Sequence, residues 1–385
     1  MERKIKIVSV VGARPNFMKI APFYRAIKKH PEIEHVLVHT GQHYDQSMSK
    51  AFFDDLNIPC PDIDLNIGSG SHAEQVGKTM IEFEKVLHAE KPDWVVVVGD
   101  VNATCACSIT AKKEHVKLAH IEAGLRSNDI DMPEEVNRLV TDCLADLLLT
   151  PDRLASQNLL DAGVPADRVV FVGNIMIDTL EEQRGRAAAK KISDIIADNA
   201  VDGKRYDVTV EDGGFAVVTL HRPSNVDSPE IMCALVDLFR SRIGKDMRLI
   251  WPIHPRTRKN IEQMGLWDTL MSDPAFIMLT PLGYHDMLRL NMGSRLMFTD
   301  SGGLQEECCV LGTPCLTMRW NTERPVTLRE HGGTSILVGN DIARIRAAYE
   351  SIIETNVAPH RPGLWDGNTA ERCVEAILAA HGQKI

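Results

Sequence analysis

The chain has 385 residues, 44% of them hydrophobic and 25% charged, with a net charge of -10 at pH 7. That length predicts two or three domains of about 150 residues each. The acidic balance excludes broad nucleic-acid binding, which needs a basic face, though it leaves room for local arginines around an anionic small molecule. No apolar run reaches the length of a membrane span, and the opening MERKIKIVSVVGARP reads as a first strand rather than a signal peptide. The nine cysteines form no C-x-x-C pair and read as reduced, buried thiols of a cytoplasmic protein.

In chain order, short β-rich runs alternate with helical stretches. KIVSVVG, HVLVHTG, WVVVVGD, KLAHIEAG, DLLLTP and VVFVGN fill the first half. FAVVTLHR, RLIWPIHP, FIMLTP, RLMFTD, PCLTMR and SILVGN fill the second. Helical periodicity runs over 17–30, 72–90, 134–145 and 152–162 between strands of the first half. Apolar strands alternating with helices predict parallel sheets built of βαβ units. Twelve strands are too many for one such sheet, so the pattern predicts an α/β protein of two doubly wound domains. The divide falls near 175–212, where EEQRGRAAAKKISDIIADNA reads as a charged helix with little core face. We set the domains at 1–175 and 176–365, with the last helix, 366–385, packing back on the first.

Ligands of doubly wound sheets bind beyond the C-terminal ends of the strands, and these ends carry polar groups throughout. Strand one runs into Gly12-Ala13-Arg14-Pro15-Asn16 with Lys19 beyond, without the G-x-G-x-x-G of a dinucleotide site. Arg14 and Lys19 are either phosphate-neutralising cations or a solvated turn. Strand two ends in Thr40-Gly41-Gln42-His43. Asp100 follows VVVVG as an acid or as a helix cap. Glu122 emerges from an apolar strand and needs a partner, for which Arg126 is the nearest cation in sequence. Glu134 and Glu135 open a helix behind Pro133, and only one of two adjacent positions can face a given site. In the second half, His221 and His254 end two strands, and Asp300-Ser301-Gly302-Gly303 joins a strand to a helix that ends at Gly312. That junction either binds a phosphate on free backbone N–H groups or is a turn with Ser301 as its cap. Carboxylates from the first half and cations with a helix mouth from the second fit a diphosphate bound beside a proton-transfer centre.

The segments GARPNFMKIAP, TGQHYD, VVGDVNAT, HIEAGLRS, MPEEVNR, GNIMID, LHRPSNV, DSGGLQEE, LGTPCL and NTERP, in this order, resemble the non-hydrolysing UDP-N-acetylglucosamine 2-epimerase family over nearly the whole chain. The resemblance implies two Rossmann-like domains around a central cleft, the glycosyltransferase-B-like arrangement. It also implies a homodimer, no cofactor and no metal. The implied reaction interconverts UDP-N-acetylglucosamine and UDP-N-acetylmannosamine by loss of the C2 proton and of UDP, then re-addition of both. It implies acid/base roles for Asp100, Glu122 and Glu134 and an active-site role for His221. Arg14, Lys19, Ser301, Gly302, Gly303 and Arg324 match substrate-binding positions, and Glu307 matches a glutamate that holds the ribose hydroxyls.

The chain departs from the family in places. His221-Arg222-Pro223-Ser224 stands where His-Arg-Arg-Glu is common, and Met287 stands where an aromatic residue often lies near the uracil, with Tyr284 as a substitute. Trp320 precedes the Asn-Thr-Glu-Arg-Pro run. Residues resembling Gln42 and His254 bind a second, activating UDP-sugar in some relatives. Relatives acting on diacetamido uronic acid sugars, hydrolysing epimerases, glycosyltransferases of the same fold and a non-catalytic sensor are the rival expectations.

Overall fold

A computed structural model describes residues 3–12, 14–41, 60–207, 209–353, 355 and 358–382. It divides into two compact units, Met1–Thr179 with Pro362–Ile385, and Leu180–Arg361.

In the first unit the strands β1 (Ile5–Val11), β2 (Ile33–His39), β3 (Ile63–Asp64), β4 (Trp94–Val98), β5 (Lys117–Ile121), β6 (Leu147–Thr150) and β7 (Val169–Phe171) form a parallel sheet in the order β3-β2-β1-β4-β5-β6-β7. In the second, β8 (Phe215–Thr219), β9 (Arg248–Pro252), β10 (Phe276–Leu279), β11 (Leu296–Thr299), β12 (Cys315–Thr317) and β13 (Ser335–Leu337) give β10-β9-β8-β11-β12-β13, again parallel. Each unit thus repeats the 3-2-1-4-5-6 winding, and its order reverses beside the first strand of the unit. In the first unit that point lies between β1 and β4; in the second, between β8 and β11.

Helices on both faces explain the unbroken apolar strands. Along β8, Ala216 and Val218 enter one core with Trp251, Phe276 and Phe298, while Phe215 and Val217 enter the opposite core with Ile250, Ile277 and Met297. The first unit buries Val8, Val10, Val95, Val97, Leu118 and Leu148 against Phe83 and Leu87 of the helix His72–Glu90. That helix starts on a capping box, Ser71 with Glu74, and ends on Lys91 in the left-handed region.

All twelve expected strands are present, and β3 is an addition. The charged segment 181–200 is corrected: it is two helices, Ile175–Ala188 and Ile192–Asn199, parted at 189–191. Its core face is real, since Ile192, Ile195 and Ile196 sit in a buried cluster at helical spacing. The helix Thr369–Gly382 belongs to the first unit. Its Thr369 and Ala370 N–H groups donate to the buried Asp178 carboxylate at 3.1 and 2.7 Å. Among the nine free cysteines, Cys60, Cys143 and Cys233 are exposed, which corrects the expectation of buried thiols at those three positions. Among the described residues no helix is long and apolar enough to cross a membrane.

One turn after β5 tolerates only glycine. Gly124 has φ +82°, and a Cβ there would lie 2.3 Å from the Ala155 carbonyl oxygen. Gly163, at φ +83°, has open space around it. Gly163→Ala should cost about 1–2 kcal/mol from backbone conformation alone. Gly124→Ala adds a backbone clash and should cost several kcal/mol more, to be read as a larger fall in denaturation midpoint. Equal falls would show that the turn opens freely.

Candidate functional site

In the first unit the polar residues collect at the ends of β1, β4 and β5. Of Arg14 only the backbone, at the start of the helix Arg14–Ile27, is described. Its side chain, like Gln42 and His43, lies outside the described residues. Five residues further along the same helix, Lys19 is buried and its ammonium pairs with Glu122. This corrects the sequence expectation for Glu122: Lys19 is its partner, and Arg126 instead binds Asp142 at 2.6 Å. Glu122 holds φ +74°, a conformation that non-glycine residues adopt at a cost of about 1–3 kcal/mol. The packing around it explains how that is sustained. A Cβ on Gly99 would lie 3.1 Å from Lys19 Nζ, 3.2 Å from Glu122 Oε2 and 3.4 Å from Asn16 Nδ2, so the bare glycine lets the ion pair close over the end of β4.

Asp100 is no helix cap, because Val101 holds that position without a side-chain bond. Its carboxylate instead accepts from Arg138 Nε at 3.1 Å and Nη2 at 3.0 Å. Arg138 also pairs with the buried Glu135, which accepts from the Ser127 and Asn128 N–H groups at 3.0 and 3.1 Å. Glu135 therefore builds the turn, and Glu134 is the member of the pair left exposed.

The second unit gathers its groups where β8 and β11 lie side by side. Asp300, fully buried at the end of β11, accepts from the His221 and Arg222 N–H groups at 3.0 and 2.9 Å and from Asn225 Nδ2 at 3.0 Å. Its other oxygen meets His221 Nδ1 at 2.7 Å. Burial pushes the Asp300 carboxyl up, but the His221 ring and these donors hold it below its ordinary value. An ionised carboxylate on Nδ1 directs His221 Nε2 away from the core, on a ring whose side chain is 44% exposed. His254 lies beside it with ring centroids 5.7 Å apart, and its Nδ1 accepts from the Arg256 N–H at 3.2 Å, capping its own helix. Burial and then His221 depress His254 below the usual imidazole value.

The helix Gly302–Leu311 starts at Ser301 with no side-chain cap, so the capping alternative for Ser301 is set aside. The two glycines differ. A Cβ on Gly302 would meet Arg324 Nη1 at 2.7 Å and Glu323 Oε1 at 2.9 Å, whereas Gly303 faces open space. Arg324 is buried behind the mouth, donating from Nε to Glu306 at 2.6 Å and pairing with Glu323, which also takes Arg319 at 2.7 Å. The mouth therefore has a helix N-terminus in front, which favours an anion, and behind it a guanidinium already paired with Glu306 and Glu323.

One turn in, Glu307 is buried with Oε2 lacking a hydrogen-bond partner. Burial pushes its carboxyl up to about 7. The Asn291 amide and Tyr284 hydroxyl favour the charged form, although both fall short of hydrogen-bond geometry. Tyr284 thus points its polar end at Glu307, and Met287 packs into the core alongside Tyr206 and Leu282. Trp320 is 57% exposed, with Arg344 5.4 Å over its ring.

A family model described as UDP-N-acetylglucosamine 2-epimerase matches residues 25–378. The chain belongs to that family. Among its relatives, the UDP-N-acetylglucosamine 2-epimerase of Methanocaldococcus jannaschii is 40% identical over 375 residues, covering 97% of this chain and 99% of that one. The UDP-2,3-diacetamido-2,3-dideoxy-D-glucuronate 2-epimerase of Pseudomonas aeruginosa is 38% identical over 355 residues, 91% of each. The crystal structure of the Methanocaldococcus jannaschii UDP-GlcNAc 2-epimerase in complex with UDP-GlcNAc and UDP matches with a TM-score of 0.84 at 38% identity, covering 97% of this chain and 100% of that one. The chain is accordingly an isomerase on the two-domain α/β fold of the UDP-N-acetylglucosamine 2-epimerases.

Within the epimerase chain, Lys19, Asp100 and Glu122 come together in the first unit, and His221, Ser301, Gly302, Gly303 and Arg324 in the second. Sequence reasoning named Glu135 and Asp300 without their roles and missed the other residues that hold the site: Arg138, His120 and Asp142 in one unit, and Glu306 and Glu323 in the other. The Glu135/Arg138 pair carries an i,i+3 signal on a helix. Asp300 carried no signal, since its role arises only when β8 and β11 become neighbours.

Proposed function

We propose that the chain interconverts UDP-N-acetylglucosamine and UDP-N-acetylmannosamine without hydrolysis, by elimination and re-addition of UDP. A carboxylate takes the C2 proton as the C1–O bond breaks. UDP leaves with that bonding pair, and a C1=C2 double bond forms as 2-acetamidoglucal. UDP oxygen then re-bonds to C1 while a proton is delivered to the opposite face of C2. Asp100, Glu122 and Glu134 are the acid/base groups, with the Lys19 ammonium paired to Glu122. Ser301, Gly302 and Gly303 take the diphosphate at the helix mouth, backed by Arg324, with Arg14 as a further cation. His221, its Nδ1 held by Asp300, donates from Nε2 toward the leaving diphosphate when the ring carries its second proton, as the charge on the diphosphate develops. Glu307 accepts from the ribose hydroxyls. The enzyme works as a cytoplasmic homodimer without cofactor or metal.

The observation that carries this reading is the Lys19–Glu122 ion pair beside Asp100, at the switch point of a chain of this family. A buried glutamate in a strained backbone position beside a lysine, at the end of a strand, suits proton transfer at carbon. A second reading keeps the chemistry and changes the sugar to a UDP-2,3-diacetamido uronic acid, favoured by the 38% identity with the Pseudomonas aeruginosa relative. In deuterated water, UDP-N-acetylglucosamine should give the 2-epimer with deuterium at C2 and no steady release of UDP. Retention of the original hydrogen would exclude the elimination. Turnover of the diacetamido sugar alone would select the second substrate.

A further inference from the structure

His120, on β5, is fully buried and both its ring nitrogens face acceptors. Nδ1 lies 2.7 Å from Asp142 Oδ1 and Nε2 lies 2.9 Å from the Gly99 carbonyl oxygen. A carbonyl cannot donate, and Asp142 is ionised: burial pushes it up, but His120 and Arg126 bring it below its ordinary value. Both ring nitrogens are therefore engaged, one by a buried carboxylate and one by a backbone carbonyl, so the ring cannot turn without breaking both contacts.

The other Asp142 oxygen accepts from the Gly124 N–H at 3.1 Å and from Arg126 at 2.6 Å. The pair thus touches three pieces of backbone. His120 holds the carbonyl of Gly99, next to Asp100. Asp142 holds the N–H of Gly124, two residues past Glu122, and sits on the helix Pro133–Leu144 that carries Glu134 at its start. Asn137 Nδ2 of that helix donates to the Asp100 carbonyl at 2.9 Å, a second tether between the same elements.

We propose that the buried His120–Asp142 pair is a positioning element for the reaction, joining the end of β4, the end of β5 and the helix Pro133–Leu144 so that Asp100, Glu122 and Glu134 keep one mutual geometry. The role rests on the acid/base reading of those three carboxylates. Neither residue touches substrate. What they fix is the relative placement of groups that must act on opposite faces of one carbon, where a shift of about 1 Å costs on the order of a hundredfold in rate.

The test compares His120→Gln, His120→Asn and Asp142→Asn with Asp100→Asn, Glu122→Gln and Glu134→Gln. Turnover is read as deuterium incorporation at C2 per folded molecule, and UDP affinity by calorimetry. The pair variants should lose roughly ten- to a hundredfold in kcat, while KM and the UDP Kd stay within about twofold. A pair with only a structural role would lower Tm and leave kcat per folded molecule unchanged. If the carboxylate variants are inactive and the pair variants that fold turn over normally, the positioning role is overturned and the acid/base reading stands. If the carboxylate variants themselves retain turnover, the acid/base reading fails and takes the positioning role with it. Asp142→Asn, nearly isosteric, serves where the His120 variants do not fold.

Discussion

Replacing Asp100, Glu122 or Glu134 by its amide should lower kcat for C2 exchange by a factor on the order of 10²–10⁴. The amides keep shape and remove the proton acceptor. The three should differ in their effect on stability, because their surroundings differ. Glu134 is exposed, so Glu134→Gln should fold like the parent. Asp100→Asn leaves Arg138 with the Glu135 carboxylate and should be mild. Glu122→Gln strands the buried Lys19 ammonium and should cost about 3–5 kcal/mol, the cost of breaking a buried ion pair. Measured per folded molecule, all three should still lose turnover. If all three keep near-normal kcat, the acid/base assignment is wrong.

Glu307→Gln should move stability and binding in opposite directions. In the folded chain the buried carboxyl titrates at about 7, against an ordinary 4.5. Below pH 4.5 it is protonated in both states and costs nothing. Between 4.5 and about 7 the unfolded chain releases a proton that the folded chain keeps, so stability falls as pH rises, by about 3 kcal/mol in all. The amide removes this penalty, so the nucleotide-free variant should be more resistant to denaturant than the parent at pH 8 and about equal to it at pH 4.5. UDP affinity should fall by a factor on the order of 10–100, because a charged acceptor is lost to the ribose. Such a trade is expected where a site stores an unsatisfied group for its ligand. A variant that binds UDP like the parent would remove Glu307 from the nucleotide site.

The strands were legible because helices bury them on both faces, which makes each a short apolar run. Their polar ends were legible as well, and the doubled 3-2-1-4-5-6 order brings the ends of β1 and β4, and of β8 and β11, side by side. Short β3 escaped because two residues, Ile63 and Asp64, carry no period. The break at 189–191 escaped because lysines and alanines suit a helix and only the packing of Ile192, Ile195 and Ile196 stops it there. Partnerships were the least legible. Lys19 and Glu122 stand 103 residues apart, and Arg126 was nearer in sequence but turned to Asp142. Asp300, beside the glycines in the opening of its helix, reads as a turn residue until β8 brings His221 to it.

The return of the chain to the first unit at Pro362 decides the order in which the molecule can be completed during synthesis. When Thr179 leaves the ribosome the first unit has its whole sheet, yet the Asp178 carboxylate still lacks the N–H groups of Thr369 and Ala370. Residues 180–361 are made in between, as one contiguous piece. The last helix arrives only afterwards, bringing Trp365, whose indole N–H donates to the Pro151 carbonyl at 2.9 Å. A nascent chain must therefore wait with its first unit unsealed, and a premature stop anywhere before residue 362 releases that unit with an open face. No single truncation isolates it, whereas one excision, joining residue 179 to residue 362, leaves every strand of its sheet and its closing helix in one chain.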